Sequence, residues 1–110
     1  MITIDIENTV EEMLEAAKNV FDDKWLDVKR FAESESKKFI TNMIEIQTWK
    51  ENGEISEIEA LSLSKLHQRS MKMVFTALEG IGLAMAEKAI NAALDVVRTL
   101  VNTAIGWDVI

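Results

Sequence analysis

The stretch ENGEISEIEA, residues 51–60, contains the strongest local signal in the chain and divides it into two halves. Asn52 and Gly53 are residue types that readily adopt the left-handed conformation with which many helices end. Three residues later, Ser56 and Glu59 have the spacing of a capping box, in which each side chain accepts a hydrogen bond from the other residue's backbone N–H. The stretch therefore predicts that one helix ends here and another begins.

Both halves have the composition and the periodicity of helices. The 110-residue chain has no proline, only four glycines and 48% hydrophobic residues, which is enough for the core of one domain. Before the turn, apolar residues recur at steps of three and four from Val10 to Ile46. We therefore predict a single all-α domain over residues 1–110, with a first helical arm at 9–51, a turn at 52–56 and a second helical arm at 57–105.

The residues before the first helical arm form an N-terminal arm, 1–8, in this prediction. Residues 2–7, ITIDIE, alternate apolar and polar side chains as a β-strand does, but the sequence has no second strand with which they could pair. We expect this arm to lie extended, with Ile4 and Ile6 packed on the end of the helices. Asn8 or Thr9 then caps the first helix.

The turn lies at mid-chain, so the two helical arms are expected to pack as a long antiparallel helical hairpin. The numbers of facing residues then sum to about 108, twice the position of the turn centre. Helices of this length are roughly 60 Å long, so an unbroken hairpin is a rod. The alternative is a four-helix monomer whose arms break at 33–38, where the apolar stripe thins, and at 80–82, which includes two glycines. We favour the hairpin because the segment 33–38 contains no turn signal.

Residues 79–97, EGIGLAMAEKAINAALDVV, indicate where copies of the chain meet. From residue 87 onward the polar residues follow one line down the helix, and nearly all the others are apolar. One partner helix covers only a single side of such a helix, so the remaining apolar surface needs another chain. We predict a homodimer or larger oligomer, most simply two hairpins that form a four-helix bundle. The predicted interface consists of Gly82, Ala86, Ala89, Ala93, Val97 and Leu100.

The charge distribution argues against two kinds of partner. The formal net charge is −7, and residues 1–55 carry most of it, with 13 acidic and 7 basic side chains. Nucleic acids and anionic membranes bind clusters of Lys and Arg, so neither is an expected partner. Another protein is a candidate partner besides the chain itself, and the candidate residues for its binding are Trp107, Lys65, Arg69 and Lys72. Pairing of the three cations with Glu33 and Glu35 of the first arm is the simpler explanation of this basic line.

No catalytic, cofactor or metal site is expected. His67 is the only histidine, and the chain has no cysteine. Carboxylate-bridged metal sites in helical bundles need a Glu followed by a His three residues later, whereas the residue three before His67 is Ser64. Ser64, His67 and Ser70 share one line of a regular helix, without a strained turn or glycine-rich loop that could form an oxyanion hole. The four glycines do not form a phosphate-binding loop, so nucleotides are not expected either.

The sequence therefore favours a non-enzymatic protein that assembles with itself and with a protein partner, as a small structural or adaptor subunit. Two alternatives stay open. One is a membrane-active protein that opens its hairpin to expose residues 73–107, although charged residues interrupt the roughly 20 apolar residues that a bilayer span needs. The other is a metal-dependent bundle enzyme. The acidic N-terminal sequence lacks the basic and apolar regions of a secretory signal, so the expected location is the cytoplasm.

Overall fold

Four α-helices joined by short connections make up the protein, which is seen here in a computed structural model that describes residues 2–110. The helices are α1 (Ile6–Phe21), α2 (Trp25–Glu51), α3 (Glu57–Thr76) and α4 (Leu83–Ile105), and a single 3₁₀ turn (Asp22–Lys24) separates α1 from α2. The described residues contain no β-strand. The all-helical class predicted from the sequence is therefore confirmed.

The four helices form an up-down-up-down bundle. Each helix packs against the next along the chain, and α4 returns to pack against α1, which is the most extensive helix pair. No pair of Cα atoms in α1 and α3 lies within 8 Å, so these two helices occupy opposite corners of the bundle. The bundle measures 44 × 24 × 18 Å and is thus shorter than the rod of roughly 60 Å expected for unbroken arms.

The first helical arm is two helices in the structure, so its predicted continuity is wrong. Its first helix ends at Phe21 and is capped by Asp22, whose backbone N–H donates to the carbonyl of Lys18. Asp22 has a φ of 50° and a ψ of −114°, which is outside the left-handed helical region. Residues 33–38, the break considered from the sequence, lie inside α2.

The second helical arm also breaks, at the 80–82 segment that the four-helix alternative identified. α3 ends at Thr76 and α4 begins at Leu83, and between them Gly80 has a φ of 80°. A Cβ at Gly80 would lie 3.2 Å from Nζ of Lys24, so both breaks meet at the same end of the bundle. A helical hairpin reverses direction once, whereas this chain reverses three times. α4 therefore packs against three helices of its own chain.

Both chain ends pack against the C-terminal end of α2. The amide of the buried Gln47 donates to the carbonyl of Ile2 at 2.6 Å and to that of Ala104 at 3.1 Å. One turn later, Nζ of Lys50 donates to the carbonyl of Ile105 at 2.7 Å. These three bonds hold the start of the chain and the end of α4 on one helix.

The N-terminal arm is shorter than predicted because α1 begins at Ile6. Its cap is Asp5, whose carboxylate accepts from the backbone N–H of Asn8 at 3.2 Å, and not Asn8 or Thr9. Ile4 packs in the core as expected, whereas Ile6 stays 39% exposed.

The capping box predicted at the central turn is confirmed. The backbone N–H of Glu59 donates to Oγ of Ser56 at 3.1 Å, and the backbone N–H of Ser56 donates to Oε1 of Glu59 at 3.0 Å. The hydrogen bond from the Ser56 backbone, and then that from its side chain, lower the pKa of Glu59. Since that pKa falls on folding, the Glu59 carboxylate stabilises the folded state fully at pH values above its pKa in the unfolded chain. This stabilisation is lost as the pH falls through its pKa in the folded protein.

Candidate functional site

Four of the residues predicted to form an oligomer interface lie in the core of one chain. Ala86, Ala89, Ala93 and Val97 are buried among the other helices of the bundle. Their small side chains suit the close packing of α4 against its neighbours within the chain. In the bundle of one chain only Gly82 and Leu100 of the predicted set are exposed.

The three predicted cations of α3 line an open groove between α3 and α4, which we call the α3–α4 groove. Its volume is about 380 Å³. The residues that line it are Lys65, Gln68, Arg69 and Lys72 of α3, and Glu87, Ile90 and Asn91 of α4. Steps of four and three along α3 place the cations on one side of the helix, and the reversal at residues 77–82 brings α4 alongside them.

The predicted pairing of these cations with Glu33 and Glu35 is wrong. Nζ of Lys72 lies 3.2 Å from Oε1 of Glu87 on α4, and Glu35 pairs at 3.1 Å with Lys38 of its own helix. α3 lies opposite α2 as predicted, but its three cations are on the side of the helix that adjoins α4.

The groove has a positive local charge on an acidic protein. Among residues 2–110, Lys65 and Arg69 form no ion pair, and Glu87 offsets only Lys72. Three cations and one carboxylate give the groove a formal charge of +2, whereas the whole chain carries −7. An unpaired guanidinium and ammonium beside polar amides form a surface that favours carboxylates, since Arg donates two parallel hydrogen bonds to such a group.

Gln68 is held in the groove wall by the core of the bundle. Its Nε2 donates to Oγ of Ser64 at 3.1 Å, and Ser64 is completely buried. This bond occupies one amide N–H, and the amide oxygen of Gln68 accepts no hydrogen bond from the described residues. Ser64 therefore acts as a support for the groove wall, and its hydroxyl is not exposed to solvent.

His67 lies on a different side of α3, facing α2. Its Nδ1 is 3.1 Å from Nδ2 of Asn42, within hydrogen-bond distance. The numbers of these two residues sum to 109, so the register predicted for the middle of the chain holds for this pair. His67 and Ser70 line a small cavity of about 40 Å³ together with Glu35. Within residues 2–110, no three His, Cys, Asp or Glu side chains come close enough together to hold a metal ion.

Trp107 closes one end of the bundle and is not part of the α3–α4 groove. α4 ends at Ile105 and is capped by Gly106, which has a φ of 86°, and Nζ of Lys50 lies 4.7 Å from the centroid of the Trp107 ring. The last residues fold back on α4, because Oδ1 of Asn102 accepts the backbone N–H groups of Val109 and Ile110, each at 3.0 Å. The half-buried indole thus packs over the end of α2.

The α4 side of the groove was not predicted from the sequence. Its residues are Glu87 and Asn91, which the sequence pattern placed only in the polar line of the second helical arm. A hairpin centred near the glycines at 80 and 82 has facing residues whose numbers sum to about 160, as those of Lys72 and Glu87 do. Had that turn been preferred, the register would have placed Glu87 opposite the basic line.

Comparison with protein-family models, with curated proteins and with solved structures finds no match to this chain. None of the helices within residues 2–110 has the length and the apolar composition needed to cross a bilayer.

Proposed function

We propose that this protein is a non-enzymatic adaptor that binds an acidic protein segment in the α3–α4 groove. The observation that supports this proposal is the position of Lys65, Arg69 and Lys72 together in one open groove of a chain whose net charge is −7. Two of these cations, Lys65 and Arg69, form no ion pair among residues 2–110, and on a protein that is otherwise acidic they favour a ligand with carboxylates.

The spacing of the cations specifies the shape of the segment. Lys65 and Arg69 are four residues apart on α3, which corresponds to about 6 Å along the helix. A helical segment with acidic residues four positions apart presents carboxylates at the same spacing. Lys72 can join these contacts by exchanging Glu87 for a carboxylate of the partner, because its salt bridge is partly exposed and therefore weak.

Apolar side chains beside the basic line add a second requirement. Leu66 and Met73, each one residue after a groove cation, are 55% and 71% exposed. One residue corresponds to a rotation of about 100° around a helix, so both lie on the outer face of α3 and flank the groove. A partner with apolar residues next to its acidic line would cover them. An amphipathic acidic helix has this combination.

Nucleic acid is a poorer fit to the same surface. A phosphate backbone needs many neutralising contacts, and binding strengthens with each Lys or Arg that contacts it. The groove provides three cations and also presents the carboxylate of Glu87 to its ligand. The remaining surface of a chain with a charge of −7 repels a polyanion.

We expect the double substitution Lys65→Gln with Arg69→Gln to weaken binding of an acidic helical peptide roughly tenfold, because two partly exposed charge contacts are lost. The peptide carries Glu at every fourth position and Leu on the adjoining face, and its affinity is measured by fluorescence anisotropy at low ionic strength. Added salt should weaken binding to the wild-type protein, since exposed charge contacts are screened.

The matched control is Lys29→Gln with Lys37→Gln, which removes two exposed cations from α2. Thermal melting of both double variants verifies that they fold. Equal affinity of the groove variant and the control variant for the peptide would refute the proposed function, because any weakening would then follow from net charge alone.

A further inference from the structure

α1, at the corner of the bundle opposite α3, carries exposed carboxylates, which are the groups that the α3–α4 groove favours. The outer face of α1 carries Glu7, Glu11, Glu12 and Glu15, all of them exposed. None of these carboxylates forms an ion pair with any residue in the described part of the chain. These carboxylates are therefore unpaired and opposite in charge to Lys65 and Arg69, and the exposed Lys18 follows them at the end of the same line.

The two charged lines also agree in length. Glu7, Glu11 and Glu15 follow one another at steps of four, which spreads three carboxylates over about 12 Å of helix. The cations from Lys65 to Lys72 extend over roughly 10 Å of α3. Two helices placed side by side can thus bring several opposite charges together at once.

Apolar side chains accompany the acidic line as they do the basic one. Val96 and Leu100 of α4 are 50% and 40% exposed. They lie about 140° and 180° around the helix from Asn91, which lines the groove, so they are on the side of α4 that adjoins α1. A molecule that docks its groove on α1 therefore brings Leu66 and Met73 toward apolar surface.

We infer that the acidic segment bound by the α3–α4 groove is the outer face of α1 in a second copy of this chain. This inference rests on the proposed function of the groove and names its occupant. The two charged lines are opposite in sign and similar in length, and exposed apolar side chains accompany both of them. The net charge of −7 on each copy opposes association, so attraction prevails only in the orientation that brings the two lines together.

The position of the two surfaces determines the form of the assembly. α1 and α3 occupy opposite corners of the bundle, so two copies cannot bind each other through both surfaces at once. The groove of one copy binds α1 of the next, which leaves a free groove at one end of the assembly and a free α1 at the other. Such a head-to-tail contact is heterologous and adds further copies unless the rotation between them closes a ring. The assembly therefore grows with concentration and does not stop at a symmetric dimer.

The test uses two variants of the full chain, each with one surface neutralised. The groove-neutral variant carries Lys65→Gln, Arg69→Gln and Lys72→Gln, and the α1-neutral variant carries Glu7→Gln, Glu11→Gln and Glu15→Gln. All six positions are on the surface, and circular dichroism melts verify folding. Light scattering at low ionic strength measures the mass of the wild-type protein, of each variant alone and of an equimolar mixture.

The wild-type mass should increase with concentration to more than twice the 12.4 kDa of one chain, and added salt should reverse the increase. Each variant alone should stay at the mass of one chain. The mixture should reach twice that mass and stop, because only the intact groove of one variant and the intact α1 of the other can bind.

A wild-type protein that stays monomeric, a dimer of fixed mass, or a mixture that forms no complex would each overturn the inference. The acidic peptide distinguishes this failure from failure of the proposed function. Peptide binding to the α1-neutral variant without any self-assembly of the wild-type protein would keep the groove as a binding site and assign it to another protein. If the peptide does not bind either, both proposals fail.

Discussion

Phe21→Ala is expected to lower the free energy of unfolding by about 3–5 kcal/mol, which is the usual loss for a phenylalanine removed from a packed core. The side chain is 1% exposed. Its ring centroid lies 5.5 Å from that of Phe75 and 6.4 Å from that of Trp25, so one residue at the end of α1 joins α2 and α3. Removing the ring leaves a cavity where three helices meet.

Urea unfolding followed by circular dichroism measures this loss. Small domains have total stabilities of about 5–15 kcal/mol, so the variant should lose a large fraction of its stability and unfold at a clearly lower urea concentration. The control is Leu26→Ala, which removes a leucine that is 86% exposed only five residues later and should change stability by less than about 0.5 kcal/mol. Similar losses for the two variants would mean that Phe21 does not join the helices as described.

The second large effect is expected from Ala86→Leu combined with Ala93→Leu. Both alanines are buried in the core, and enlarging such a residue typically costs about 1–3 kcal/mol through overpacking. Their positions are two turns apart on α4, so the costs should nearly add, to about 2–6 kcal/mol. The same urea experiment measures the loss, with the exposed Ala84→Leu as the control on the same helix.

This double variant also distinguishes two explanations of why the second half of the chain is so apolar, namely contact between copies and burial within one bundle. If the alanines lay at a contact between copies, enlarging them would lower the oligomeric mass of the protein and leave the folding of each chain nearly intact. Because the structure buries them inside one bundle, the free energy of unfolding should fall by the same amount at any protein concentration. A fully stable double variant would contradict the packing of α4 described here.

The parts of the fold that depend on local chemistry could be predicted from the sequence. The central turn was found because Gly53 and the Ser56–Glu59 pair stabilise it through their own backbone and hydrogen bonds. The register that this turn implies, with facing numbers that sum to about 108, agrees with the contact between Asn42 and His67. Neither inference required knowledge of distant parts of the chain.

The break between α1 and α2 could not be predicted, because the apolar period continues through it. Ala17, Phe21, Trp25, Val28 and Ala32 are all buried, at the steps of three and four that one helix would show. Asp22 has the positive φ at this break, without a glycine to signal it. Periodicity records which side chains face the core and is unchanged when the chain bends around that same core.

The wide apolar surface of α4 predicted a contact with a second chain, and the cause of this difference from the structure is similar. A helix that is apolar over most of its circumference needs several neighbours, but the pattern is the same whether they come from its own chain or from another. Deciding between them required the positions of both breaks. The composition of the α3–α4 groove depended on the same information, since Glu87 reaches Lys72 only when the chain reverses at residues 77–82.

The distance between residues 65 and 91 tests the central claim most directly, because both line the α3–α4 groove only if the second half of the chain turns back on itself. The chain has no cysteine, so Lys65→Cys with Asn91→Cys gives two unique sites for spin labels. The labelled protein, diluted in an excess of unlabelled protein, is measured by double electron–electron resonance. Neighbouring helices have axes about 8–10 Å apart, so we expect a short distance. A distance of roughly 40 Å, the length of 26 residues in one unbroken helix, would contradict the bundle and the groove together.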